Sequence, residues 1–357
     1  MLNMGRNDIP SQNLLQHTEM FSSQTHQVNA HTGIGNRDTA VIEPINDGNR
    51  YFVKFYSSAA PAYNKYPGRQ ILFDINTEKW SGREPPGGGE YEYHALQRIK
   101  STPTSTPGTT SPDIIVPSPI EYVDEMNALI LGYIDEDVNM RDKLFPYTWP
   151  AIRRRFSNTS TEVTAIMSEI SEVIRQFHQR TENGNTFDMS SYLSAHESLI
   201  SDSTFVRINP DIINQLKGLS PPDLPECCLH GDFLSRNILT TESGKYGFVD
   251  WNLSILAHPF IDIHRFSLDL WRWSFFPLSN GDELDRVRKT FVETYLSISN
   301  ISYYGYIFTK ITALLRFYYL YVDIQSGVTT PIYRRMVDPI SKEISRCINI
   351  LRAHESS

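Results

Sequence analysis

The chain has 357 residues, 40% apolar, 12% aromatic and 21% charged, an ordinary globular composition with room for two lobes and a sizeable core. Its net charge of −8 speaks against broad nucleic-acid or anionic-membrane binding and is compatible with a cationic partner. Three cysteines, Cys227, Cys228 and Cys347, make neither a disulfide framework nor a zinc spacing, so a reducing, cytoplasmic setting is expected. The segment Met1 to Phe21 has no apolar run of the secretory-signal type. The most apolar window, Tyr303 to Val322, contains Lys310 and Arg316, which favours a buried or amphipathic helix over a membrane span.

Residues 1–30 are rich in Gln, Asn, Ser and Thr, and read as a polar N-terminal segment with at most a helix around Leu14 to Phe21. A strand through Thr32 to Val41, a turn at Asn46 to Asn49 and a strand Tyr51 to Tyr56 follow. Alternation sets Phe52 and Lys54 on one face of that last strand, Val53 and Phe55 on the other. Residues 57–89 form a Pro- and Gly-rich insertion with a β-like stretch at Gln70 to Phe73, to which no function attaches. Glu90 to Ile99 reads as a helix with Ala95, Leu96 and Ile99 on one face. A Ser/Thr/Pro tract from Lys100 to Pro112 is a loop by composition. Val116 to Val123 and Ala128 to Asp135 then read as two strands around a turn at Asp124 to Asn127.

From Glu136 onward the chain is expected to be mainly helical. Thr159-x-x-Glu162 is a capping box, and Val163, Ile166, Ile170, Val173, Ile174 and Phe177 recur at helical spacing as a core stripe ending at His178. The aromatic-rich helices after Arg265 read first as core.

The most informative stretch is Leu229-His230-Gly231-Asp232-Phe233-Leu234-Ser235-Arg236-Asn237-Ile238-Leu239, followed by Phe248-Val249-Asp250-Trp251. Ile238-Leu239, a turn at Glu242 to Lys245 and Tyr246 to Val249 read as a hairpin that returns Asp250 to the side of Asn237. Two carboxylates and an amide then converge, an oxygen-rich set of the kind that suits Mg²⁺ with phosphates. Phosphoryl transfer needs such parts, because its catalysis is positioning plus charge neutralisation.

This run resembles the catalytic segment of the aminoglycoside phosphotransferase and choline kinase superfamily, small-molecule kinases with a protein-kinase-like fold. The resemblance covers roughly residues 30 to 265 and implies an α+β, two-lobed architecture, with a β-rich lobe at 31–135 and a helical lobe at 136–357. It further implies Asp232 as catalytic base, and Asn237 and Asp250 as metal ligands. Gly33-x-Gly35, in a loop with Asp38 where a third glycine would stand, resembles the phosphate-covering loop, and Lys54, nineteen residues on, the lysine that grips phosphate. Glu92 fits the glutamate that pairs with this lysine, Glu90 being its rival. The backbone near Leu131 to Tyr133 takes the place of the hinge that binds the nucleotide base. Asp262, in Ala257-His258-Pro259-Phe260-Ile261-Asp262, is expected to brace the catalytic loop, and His230 to anchor it through backbone hydrogen bonds. His178 reads as structural. Ser235 and Arg236 replace the small, Pro or Gly residues usual before the asparagine. Arg236 either faces the transferred phosphate or makes a surface ion pair.

The expected activity moves the terminal phosphate of ATP or GTP, with Mg²⁺, onto a hydroxyl of a small molecule, an antibiotic or a metabolite; the net charge leans towards a cationic acceptor. Two rival classes remain. A protein kinase needs a long activation segment ending in A-P-E, whereas only eleven residues separate Asp250 from Asp262. A non-catalytic nucleotide binder would typically have lost one of Lys54, Asp232, Asn237 or Asp250, and all four are present.

Overall fold

The computed structural model describes residues 11–18, 20–21, 26–31, 39–45, 48–56, 72–74, 79–81, 89–101, 114–135, 138–140, 159–200, 211–241, 244–275, 280–298, 302–319 and 330–356. The first half is built on an antiparallel sheet of β1 (His26–His31), β2 (Thr39–Pro44), β3 (Tyr51–Phe55), β8 (Ala128–Gly132) and β7 (Pro119–Val123), in the order β1-β2-β3-β8-β7. One face carries Ala40, Ile42, Val53, Phe55, Ala128 and Ile130, and buries them with Leu14 and Phe21. Leu14 lies on the short helix α1 (Ser11–His17). Leu14 and Phe21, with Val28 of β1 partly buried beside them, thus bring apolar side chains of the polar N-terminal segment onto this face of the sheet.

The opposite face turns Phe52, Leu129 and Leu131 towards the main core of the molecule. Lys54 shares that face by strand alternation, and β3 is flanked by β2 and β8, so Lys54 sits mid-sheet and not on an edge. The helix α2 (Gly89–Ser101) lies alongside β7 and β8 and buries Glu92, Ala95, Leu96 and Ile99. That is the i, i+3, i+4, i+7 spacing of one helix face, with a glutamate in its first turn. Strands β4 (Leu72–Asp74) and β5 (Lys79–Ser81) pair with each other inside the insertion.

The second half is helical around small sheets. Strand β6 (Ile114–Ile115) leaves the first lobe to pair with β12 (Tyr246–Phe248), which pairs with β11 (Ile238–Thr240) and, through it, β9 (Val138–Asn139). Strand β10 (Cys227–Leu229) pairs with β13 (Ile255–Ala257). The helices are α3 (Thr159–Arg180), α4 (Met189–Ile200), α5 (Asp211–Lys217), α6 (Phe260–Ser274), α7 (Gly281–Ile298), α8 (Tyr303–Tyr318) and α9 (Thr330–Glu355). Val163, Ile170, Val173, Ile174 and Phe177 of the α3 stripe are buried and Ile166 is half-buried against the same core, and the Ser171 hydroxyl donates across to the Phe291 carbonyl on α7 at 2.8 Å. Helix α8, the apolar window of the sequence, is a core helix in which the buried Lys310 ammonium pairs closely with Glu343 of α9. No helix among the described residues is long and apolar enough to cross a membrane. The three cysteines are buried and reduced.

Candidate active site

The catalytic loop leaves the buried strand β10 and turns sharply at His230-Gly231-Asp232. Gly231 has φ +81°, and a Cβ there would lie 1.7 Å from the Leu253 carbonyl oxygen, so both conformation and space demand glycine. Asp262, at the start of α6, accepts from the His230 N–H at 2.8 Å and the Gly231 N–H at 2.9 Å. The His178 Nε2 stands 3.1 Å from the same carboxylate and its Nδ1 stands 2.9 Å from the Tyr295 hydroxyl. His230 spans the site from the other side, its Nε2 at 2.9 Å from the Val249 carbonyl, beneath the ring of Trp251.

In front of the turn, Asp232 is 5% exposed, and each of its carboxylate oxygens is engaged. The Arg265 guanidinium donates to Oδ1 through Nε at 3.1 Å and Nη2 at 2.7 Å. Arg236 donates to Oδ2 at 3.0 Å, and the Asn237 amide donates to Oδ2 at 3.2 Å and to the Asp232 carbonyl at 2.8 Å. Burial pushes the Asp232 carboxyl up and Asp250 repels its charge, but Arg265 and Arg236 outweigh both and hold it below its ordinary range. Behind it the Ser235 hydroxyl donates to Asp269 of α6 at 3.0 Å, which stitches the loop to that helix.

The two lobes meet at Lys54. Its ammonium lies 2.7 and 3.1 Å from the two oxygens of Glu92 and 3.2 Å from Asp250 Oδ1. Glu92 has no exposed surface and also accepts from the Trp251 N–H at 3.0 Å and, at close range, from the Tyr56 hydroxyl. Its rival Glu90 is an exposed partner of His94. Asp250 has φ +70°, a left-handed conformation that a non-glycine residue adopts at some cost and that is concentrated at functional sites. The hairpin β11–β12 delivers it as expected: Ile238 faces Phe248, and the Val249 N–H bonds the Asn237 carbonyl at 3.0 Å.

Of the residues singled out in the sequence, Lys54, Glu92, His230, Asp232, Arg236, Asn237, Asp250 and Asp262 thus form one connected constellation. Arg236 is paired with Asp232 while half exposed. At the expected hinge the Gly132 N–H bonds the Ser118 carbonyl at 2.8 Å and the Tyr133 N–H the Arg50 carbonyl at 3.3 Å. Leu131 is buried in β8, and the Tyr133 ring lies under the Arg50 guanidinium. Gly33 and Gly35 lie outside the described residues. Arg265 and Tyr56 escaped the reading from sequence. Arg265 stands one helical turn after Asp262 and so on the same face of α6, the one signal that bore on it.

The donor set fits a hard divalent cation. Asp250 supplies a carboxylate and Asn237 an amide whose nitrogen is tied to Asp232, which turns its oxygen to the role of acceptor. Among the described residues no group of three His, Cys, Asp or Glu forms a self-sufficient cage. A hard cation of the Mg²⁺ kind takes oxygen donors of this sort together with waters and phosphate oxygens.

Residues 171–297 match the family model described as the phosphotransferase enzyme family. The match contains the whole catalytic loop, both candidate metal ligands and helix α6, the same residues that carry the resemblance read from the sequence. No curated protein matches the sequence. Among solved structures, choline kinase LicA from Streptococcus pneumoniae is 15% identical, with 92% of this chain and 94% of that one covered at a TM-score of 0.47. A choline/ethanolamine kinase family protein from Mesorhizobium loti is 14% identical, with 94% and 92% covered at a TM-score of 0.48. The streptomycin–ATP–APH(2")-IIa ternary complex is 11% identical, with 98% and 99% covered at a TM-score of 0.49.

Proposed function

We propose that this phosphotransferase moves the γ-phosphate of a nucleoside triphosphate, ATP or GTP, onto a hydroxyl of a small molecule. The observation that carries this reading is the bridge of Lys54 from Glu92 to Asp250, next to the Asp232–Asn237 pair. A cationic head held by a buried carboxylate, beside two further carboxylates and an amide, is an arrangement for binding polyphosphate.

In this reading Glu92 orients Lys54, and Lys54 binds phosphate oxygens in place of its contact with Asp250. Asn237 and Asp250 hold Mg²⁺, which would supply neutralisation of the phosphate charge. Asp232 orients the acceptor hydroxyl and takes its proton as the new oxygen–phosphorus bond forms and the bond to the nucleoside diphosphate breaks. Arg236 exchanges its Asp232 contact for the transferred phosphate, which its half-exposed position permits. His230 and Asp262 hold the loop. The base of the nucleotide lies against the Leu131–Tyr133 segment, and Gly33 and Gly35 cover the phosphates. The acceptor is an antibiotic-like or metabolic alcohol, and the net charge of −8 favours a cationic one. A cytoplasmic location accords with the buried, reduced cysteines.

The test is release of ADP and GDP, with and without Mg²⁺, across aminoglycosides, other hydroxylated antibiotics, choline, ethanolamine, sugars and nucleosides, with mass spectrometry for a phosphorylated acceptor. Metal-dependent diphosphate release with an acceptor gaining one phosphoryl group is the expected result. A protein that binds no nucleotide under these conditions overturns the reading.

A further inference from the structure

Asp232 differs from the other carboxylates of the site in one respect: a residue outside the catalytic loop grips it by a fork. Arg265 reaches it from α6, through two nitrogens, both on Oδ1. Helix α6 is fixed to the same loop twice more, by Asp262 on the His230 and Gly231 N–H groups and by Asp269 on Ser235. All three contacts come from one helix and converge on residues 230–235. Arg265 is two-thirds shielded from solvent, whereas Arg236, on Oδ2, is half exposed and sits on the loop itself.

Resting on the function proposed above, we infer that Arg265 is a positioning residue. It anchors Oδ1 of Asp232 so that Oδ2 is the oxygen presented to the acceptor hydroxyl. The physical case is geometric. A carboxylate turns freely about its last torsion, a two-fold, shallow rotor, unless something defines its plane. A guanidinium has donors in a fixed fork and sets the direction of what it binds, where an ammonium is only a point of charge. Anchored from a helix and not from the loop, that direction persists when Arg236 turns from Asp232 to phosphate. The acceptor proton then passes to Oδ2, and Arg265 stays outside the bonds made and broken.

The experiment compares wild-type protein with Arg265→Ala and Arg265→Lys, alone and combined with Asp232→Asn. It follows Mg-ATP turnover with the acceptor identified by the panel and with water as acceptor. Arg265→Ala is expected to lower kcat about 100-fold, the scale of a misplaced reacting group, while the KM for ATP changes less than about twofold. Added methylguanidinium is expected to restore part of the lost kcat, and Arg265→Lys to fall between, having the charge without the fork. In the Asp232→Asn background the same alanine substitution is expected to cost nothing further, since its whole effect runs through Asp232. Two results overturn the inference: a single-variant kcat within about twofold of wild type, or an equal loss in the Asp232→Asn background. Should Arg265→Ala fail to fold, Arg265→Lys is read against the same criteria. Absence of nucleotide turnover in the wild type overturns the proposed function itself. Turnover indifferent to Arg265 overturns this inference alone.

Discussion

Asp262 and Asp232 flank the same turn, one behind it and one in front, and both are nearly excluded from solvent. Asp262 is held by two backbone N–H groups and a buried histidine, partners that belong to the fold and have nowhere else to go. Asp232 is held by an amide and by two arginines, of which Arg236, half exposed on the loop, can be exchanged when a ligand arrives. Two carboxylates thirty residues apart are thus set to different work by what surrounds them. The one behind stabilises a conformation. The one in front has its carboxyl held low by the guanidiniums although burial alone would raise it.

Substitutions should separate the two roles. Asp232→Ala is expected to give the largest effect, a loss of turnover by a factor of about 10²–10⁴, the usual contribution of a positioned base. Nucleotide affinity should survive, and unfolding in urea should shift little, since water can solvate the released arginines. Near-full turnover in this variant would erase the distinction between the two carboxylates. Asp262→Ala should do the reverse. It strands two buried N–H groups and the His178 ring, and a destabilisation of about 3 kcal/mol by denaturant unfolding is expected. A variant as stable as wild type would show that the turn does not depend on this brace. Tyr56→Phe sharpens the picture at the smallest scale. It removes one donor of the several around Glu92 and leaves Lys54 and the Trp251 N–H in place. A loss of about 1 kcal/mol in stability with ATP affinity little changed is expected. A large rise in the KM for ATP would make Tyr56 part of the phosphate-binding apparatus.

Much of this was legible in the linear sequence, for reasons of range. The β11–β12 hairpin, the α2 stripe with Glu92 in its first turn and the long stripe of α3 are local patterns, each set by spacing within a few residues, and each formed as read. The order H-x-D-x4-N followed by hydrophobic-Asp-Trp identified the loop because its parts lie within a short stretch. Glycine at 231 could be noticed but not explained, as its necessity comes from the Leu253 carbonyl across the turn.

Partners distant in sequence were another matter. The choice of Glu92 over Glu90 rested on resemblance until Lys54, from a strand thirty-eight residues away, was seen to meet it in the buried space between lobes. The burial of Leu14 and Phe21 on the sheet followed from an apolar face that a polar-looking segment was needed to cover. Arg265 had no motif at all. A lone arginine on a helix is ordinarily a solvated side chain, and only the docking of α6 behind the catalytic loop turned this one towards Asp232. The sequence by itself determined which elements form and which polar residues have the chemistry for phosphoryl transfer, because those properties depend on neighbours along the chain. Tertiary structure alone decided which charge faces which, because ion pairs and buried hydrogen bonds depend on distances of about 3 Å that no spacing in sequence encodes.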